Sequence, residues 1–136
     1  MDTRYINENY SAIGAELINS EECFANIRNS AATIVYLSSE HAKKQDGKIV
    51  LGQCEKVAEK YKWGIPADFT ITLFEPNLEG MTDDQIKIVI FHELLHVGIE
   101  FNGDGSESYN IIPHDLEDFK TIIDRFGTDW SKVNEN

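Results

Sequence analysis

The chain has 136 residues, of which 41% are hydrophobic and 26% are charged, which is enough for one hydrophobic core of ordinary size. Twelve Lys and Arg residues against 24 Asp and Glu residues give a formal net charge of −12, which disfavours binding of nucleic acid. The sequence contains neither a stretch of about 18 apolar residues that could cross a membrane nor an N-terminal secretory signal. We therefore expect one folded domain over residues 1–136, located in the cytoplasm.

Local patterns predict helices followed by strands. Apolar residues recur at helical spacing between residues 9 and 28, which predicts one or two N-terminal helices with a break near residues 19–20. Three segments rich in β-branched and aromatic side chains predict a short three-stranded sheet, with the second strand paired to the first. These segments are residues 33–38 (TIVYLS), 48–52 (KIVLG) and 69–74 (FTITLF). Strands beside helices in a chain of this length indicate an α+β fold.

A buried helix with three polar residues is predicted after Thr82, which fits the N-cap of a capping box. Residues 88–99 (IVIFHELLHVGI) are apolar or Gly except for His92, Glu93 and His96. Two histidines four residues apart project from one face of a helix, as two ligands of a single metal do. Glu93 beside them completes the HExxH pattern of zinc metallopeptidases. We predict that the two histidines bind zinc; the alternative is a pair of core histidines satisfied by hydrogen bonds.

A catalytic zinc site normally has three protein ligands and one open position, so a third ligand must come from another segment. The candidates are His114 and Glu117, because the residues after the motif do not follow the metzincin pattern. Pro113 suits the first turn of a C-terminal helix that the apolar spacing predicts for residues 113–127. At the positive end of that helix dipole the His114 ring would stay neutral, as ligation requires. We choose His114 and keep Glu117 as the alternative.

Carboxylates near His114 are candidates for orienting a ligand histidine through its second ring nitrogen. Asp118 is our first choice for a partner of the HExxH histidines, and Asp115 is the second. Each also fits a plain carboxylate at a helix N-terminus, which the dipole favours without any metal. We expect His41 to be exposed in a polar loop. No residue identifies itself as a stabiliser of an oxyanion, since Tyr109 suits a packing role better.

With these residues the chain resembles the putative phage metallopeptidase family, a group of very small HExxH proteins. The motifs that carry the resemblance lie at residues 56–63 (KVAEKYKW), 68–71 (DFTI), 92–96 (HELLH), 113–119 (PHDLEDF) and 126–130 (FGTDW). The resemblance implies a small zincin-like α+β domain with His92, His96 and His114 as zinc ligands and Glu93 as the catalytic carboxylate. For a protein encoded by a phage, the expected location becomes the host cytoplasm.

The functional prediction is a zinc-dependent peptidase that acts on a peptide or protein substrate. Glu93 would take a proton from a metal-activated water and pass it to the leaving amine. By analogy with zincins, the substrate would lie along an edge of the sheet. The alternative is an acidic binding protein that mimics nucleic acid for a host factor and carries a structural or vestigial metal site. The acidic residues are dispersed along the chain, which suits ordinary solubility better than mimicry of a phosphate backbone.

Overall fold

The computed structural model describes residues 3–113, and every structural statement below refers to that part of the chain. Its helices and strands are, in chain order, β1 (Arg4–Ile6), α1 (Glu8–Ser20), α2 (Ala25–Asn29), β2 (Ile34–Ser39), β3 (Lys44–Gln45), β4 (Lys48–Ile49), β5 (Gly52–Lys56), β6 (Phe69–Phe74), α3 (Asp83–Leu94), β7 (Val97–Phe101) and β8 (Glu107–Ile111). Short 3₁₀ segments cover Glu22–Phe24, Glu59–Tyr61 and Glu75–Leu78. The architecture is mixed α+β, as the sequence predicts.

The main sheet has four strands in the order β1-β2-β6-β5. β2 and β6 are parallel, with Tyr36 opposite Ile71, and the two outer strands run antiparallel to their neighbours. Separate two-stranded units are formed by β3 with β4 and by β7 with β8. The parallel pair is central because β6 is buried along almost its whole length, and a parallel pair needs cover on its faces.

The predicted three-stranded sheet was wrong in strand number and in pairing. β1 adds a fourth strand whose three residues are too few to show a recognisable alternation. The predicted second strand, residues 48–52, is divided between two units: β4 pairs with β3, and Gly52 begins β5. β5 pairs with β6 and not with β2, because the parallel pairing of β2 with β6 leaves only the far edge of β6 for another strand.

The hydrophobic core lies between the helices and the main sheet. The predicted N-terminal helices are confirmed as α1 and α2, and the capping box at Thr82 is confirmed at the start of α3. α3 packs its apolar side chains against α1 and the main sheet, and the ring of Phe91 lies 5.0 Å from that of Phe24, in the 3₁₀ segment before α2. Burial of these side chains stabilises the position of α3, which carries His92 and Glu93 of the HExxH motif.

α3 ends earlier than residues 88–99 suggested, because its last residue is Leu94 and Val97–Phe101 forms β7. Gly98 faces Asn110 of β8 so closely that a Cβ atom at Gly98 would come within 2.5 Å of the Asn110 Oδ1 atom. β-Branched residues on either side of this glycine favour the strand. The sequence predicts a loop for residues 102–113, but Glu107–Ile111 of that segment forms β8.

The predicted C-terminal helix lies outside the described residues, apart from Pro113 at its start. Within residues 3–113, no helix combines the length and the apolar character that crossing a membrane requires.

Candidate metal centre

The end of α3 and the turn that follows it bring three polar side chains together. His92 and Glu93 belong to the last turn of α3, and His96 stands directly before β7. The backbone N–H of His96 donates to the Glu93 carbonyl at 3.1 Å, so the chain keeps an almost helical course past Leu94. The two imidazole rings therefore remain on one side, with centroids 5.0 Å apart and planes inclined at 81°. Glu93 and His96 are 5% and 6% exposed.

The separation of two ring nitrogens bears most directly on metal binding. The Nε2 atom of His92 lies 3.4 Å from the Nε2 atom of His96. Two nitrogen atoms bound to zinc at about 2.05 Å, at the tetrahedral angle, are about 3.35 Å apart. The pair thus already has the spacing of two neighbouring ligands of a tetrahedral ion.

A backbone carbonyl orients His96. The Nδ1 atom of His96 lies 2.6 Å from the carbonyl oxygen of Ile112, and because this oxygen can only accept, Nδ1 carries the proton. Nε2 then keeps the lone pair that a metal requires. Asp118 and Asp115, our choices for this orienting role, lie outside the described residues. The Ile112 carbonyl could not be identified from the sequence as the partner of His96, because a main-chain oxygen carries no signal in the side-chain pattern.

The same contact brings the end of β8 to the histidine pair. The N–H of Ile112 also donates to the His96 carbonyl at 2.8 Å, and Pro113 lines the cleft beside the pair. Pro113 is the last described residue, and His114 follows it in the sequence. His114 and the alternative, Glu117, lie outside the described residues, so the third ligand stays a prediction. Within residues 3–113, no three His, Cys, Asp or Glu side chains are grouped to hold a metal ion.

An open cleft of about 510 Å³ runs beside the histidine pair. One wall is the end of α3, and the other is β5 together with the segment that precedes it. Its apolar lining includes Ile49, Val50, Leu51, Val89, Ile111 and Pro113. The cleft is large enough for several residues of an extended peptide, and Glu93 lines it together with both histidines.

Cys54 of β5 also lines the cleft, but its thiol is unsuited to chemistry there. Burial, followed by the negative charges of Glu93 and Glu55, raises the pKa of the Cys54 thiol to about 12. The thiol therefore stays protonated at neutral pH, whereas nucleophiles and metal ligands are thiolates. Of the side chains described in this cleft, the histidine pair and Glu93 are the ones suited to hydrolysis.

Neither His41 nor Tyr109 lines the cleft. His41 is exposed, as predicted. Tyr109 lies in β8, where its hydroxyl donates to Glu107 at 2.7 Å and its ring packs against Phe69 with centroids 5.7 Å apart. The hydrogen bond to Glu107 and then burial raise the pKa of Tyr109 to about 12. Tyr109 thus has the packing role that its sequence context suggests.

One comparison with known proteins gives a match that covers nearly the whole chain. The family model described as putative phage metallopeptidase matches residues 3–136, which include the histidine pair, Glu93 and His114. Searches of curated proteins and of solved structures found no significant match. The chain therefore belongs to the putative phage metallopeptidase family.

Proposed function

We propose that the protein is a zinc-dependent peptidase, formed by a single zincin-like domain, in which His92, His96 and His114 hold the metal and Glu93 is the general base. The observation that carries this proposal is the 3.4 Å separation of the two Nε2 atoms. The hydrogen bond from Nδ1 of His96 to the Ile112 carbonyl supports it, because it places the ring proton on Nδ1 and the lone pair on Nε2, the atom that would bind the metal. Membership of a metallopeptidase family supports the reaction class.

The donor set suits zinc. Zinc accepts imidazole nitrogen, and three protein ligands leave a fourth position for water or substrate. A bound zinc ion would polarise the scissile carbonyl and make water a better nucleophile at neutral pH. His114 is the proposed third ligand because it directly follows Pro113 in the sequence, and Pro113 lines the cleft beside the histidine pair.

Glu93 would carry the proton. Its carboxylate lies on the wall of the cleft, against Gly52 of β5, and next in sequence to His92. A carboxylate in this place can accept the proton of the attacking water and then donate it to the nitrogen of the leaving amine. With only 5% of the residue exposed, bulk water has little access to it, which favours a fixed position for the carboxylate.

β5 offers the substrate a backbone edge along the cleft. Leu51 and Val57 form backbone hydrogen bonds toward the β6 side, and the bonding direction alternates along an antiparallel strand. Gly52 and Cys54, which both line the cleft, therefore direct their N–H and C=O groups away from β6. An extended peptide that adds to this edge would bring its scissile bond beside Glu93.

Metal binding is tested first, without reference to activity. The purified protein is refolded with zinc, and bound metal is measured by elemental analysis. We expect about one equivalent in the wild type and less than about half an equivalent in the His92→Ala/His96→Ala double variant. His41→Ala removes an exposed imidazole and is the matched control, which should keep the metal. Less than about half an equivalent in the wild type would contradict the proposal.

Cleavage of an unfolded protein substrate is tested next. Glu93→Gln keeps the size of the side chain, so it should bind zinc like the wild type and lose activity by about 10²- to 10⁴-fold. The matched control is Glu100→Gln, which alters an exposed carboxylate in β7 and should leave activity unchanged. Undiminished cleavage by Glu93→Gln would show that this carboxylate is not the base.

The third ligand is assigned by a pair of variants. His114→Ala should weaken zinc binding strongly, whereas Glu117→Gln should bind zinc like the wild type. The opposite result would assign the position to Glu117.

A further inference from the structure

Gly52 is the first residue of β5, where glycine is an unfavourable choice for a strand. It has no side chain to pack and loses more conformational freedom on folding than other residues, so a strand glycine often marks a close approach. Its φ angle is not positive, and a side chain would therefore be compatible with its backbone conformation. The reason for glycine must lie in its surroundings.

The surroundings are the side chain of Glu93. A Cβ atom added at Gly52 would lie 3.1 Å from Cγ, 3.3 Å from Cδ and 3.2 Å from Oε2 of Glu93. Ordinary contacts of a Cβ atom begin at about 3.4 Å. All three nearest atoms belong to this one side chain, and none belongs to the neighbouring histidines. The carboxylate of Glu93 therefore rests in the space that any larger residue at position 52 would fill.

We propose that Gly52 is a positioning residue for Glu93. Because Gly52 has no side chain, the Glu93 carboxylate can lie close against the backbone of β5 at this position. This inference rests on the proposed role of Glu93 as the base. A side chain at position 52 would push the carboxylate by a few tenths of an ångström, while a base works only within hydrogen-bond reach of its proton. Gly52 also lines the cleft, so one residue would both place the base and border the proposed path of the substrate.

Gly52→Ala adds the single atom in question. We expect kcat to fall about tenfold, with KM within about twofold of the wild type, since a small displacement of a catalytic group acts on the chemical step. Zinc content should stay the same. Gly64→Ala is the matched control, because no atom lies within 4 Å of a Cβ atom at Gly64. An unchanged kcat in Gly52→Ala, or a change confined to KM, would overturn the positioning role.

Combining Gly52→Ala with Glu93→Asp tests whether the loss of kcat acts through Glu93. Glu93→Asp draws the carboxylate back by one methylene and should keep reduced but measurable activity. In this background the added Cβ atom has less to displace, so Gly52→Ala should lower kcat by about twofold or less. A full tenfold loss in both backgrounds would mean that Gly52 acts through another residue.

A stability measurement makes the inference independent of activity. Glu93→Ala removes the three contacting atoms, so in metal-free protein Gly52→Ala should raise Tm by about 2 °C in that background, as glycine replacement does where space allows. With Glu93 present, the same substitution should lower Tm or leave it unchanged. Equal shifts in both backgrounds would overturn the contact. Unequal shifts with no cleavage by the zinc-loaded wild type would support the contact and overturn the peptidase proposal.

Discussion

Replacement of His96 by alanine removes two different interactions of one ring. Its Nε2 atom is the proposed metal ligand, and its Nδ1 atom donates to the Ile112 carbonyl at 2.6 Å. His92→Ala removes the partner ligand, 3.4 Å away, and leaves the bond between His96 and Ile112 in place. We therefore expect the two variants to lose zinc binding alike and to differ in stability without metal.

The expected shifts follow from the size of the chain and from the bonds lost. Zinc at 100 times its Kd adds about 2.7 kcal/mol to the free energy of unfolding. For 136 residues the entropy of unfolding is about 0.29 kcal/mol/K, so the wild type should gain about 9 °C in Tm. Loss of the His96 bond leaves the Ile112 carbonyl without this donor and costs about 1–3 kcal/mol, which lowers the metal-free Tm by about 4–10 °C.

Thermal melts with a chelator and with excess zinc measure both effects. The wild type and the His41→Ala control should respond to zinc, and His92→Ala and His96→Ala should not. In the chelator, His96→Ala should melt below His92→Ala. A zinc response that survives in His96→Ala would refute its role as a ligand, and equal metal-free melting temperatures of the two variants would refute the stabilising role of its bond to Ile112.

Three further predictions concern elements that support the site. Thr82→Ala removes the capping box at the start of α3 and should lower the free energy of unfolding in urea by about 1 kcal/mol. Gly98→Ala should cost about 1–3 kcal/mol in the same assay, because the new Cβ atom would lie 2.8 Å from the backbone oxygen of Asn110. Burial tends to raise the pKa of Asp68, but hydrogen bonds from Lys62 and a backbone N–H outweigh it and lower that pKa. Asp68→Asn should therefore lower Tm at pH 7. The difference in Tm from the wild type should shrink as pH falls below about 4, where Asp68 of the wild type becomes protonated. A difference in Tm that does not depend on pH would refute this prediction.

Much of the candidate site could be predicted because it depends on local spacing. His92 and His96 are four residues apart, and one turn of near-helical chain places them on the same side. The rule holds although α3 ends at Leu94, since the N–H of His96 still bonds to the Glu93 carbonyl. The contact of His96 with the Ile112 carbonyl and the contact of Glu93 with Gly52 could not be predicted in the same way. Both are main-chain features, which side-chain patterns do not reveal.

By itself the sequence determined the α+β class, the N-terminal helices, the bounds of β6 and the start of α3 at Thr82. Each of these depends on periodicity or capping within a few neighbouring residues. Only the tertiary structure decided that β5 joins β6, that β1 adds a fourth strand, and that residues 97–101 form a strand. Strand pairing joins residues far apart in the chain, and an apolar segment such as 97–99 fits a buried helix or a buried strand equally well until its neighbours are in place.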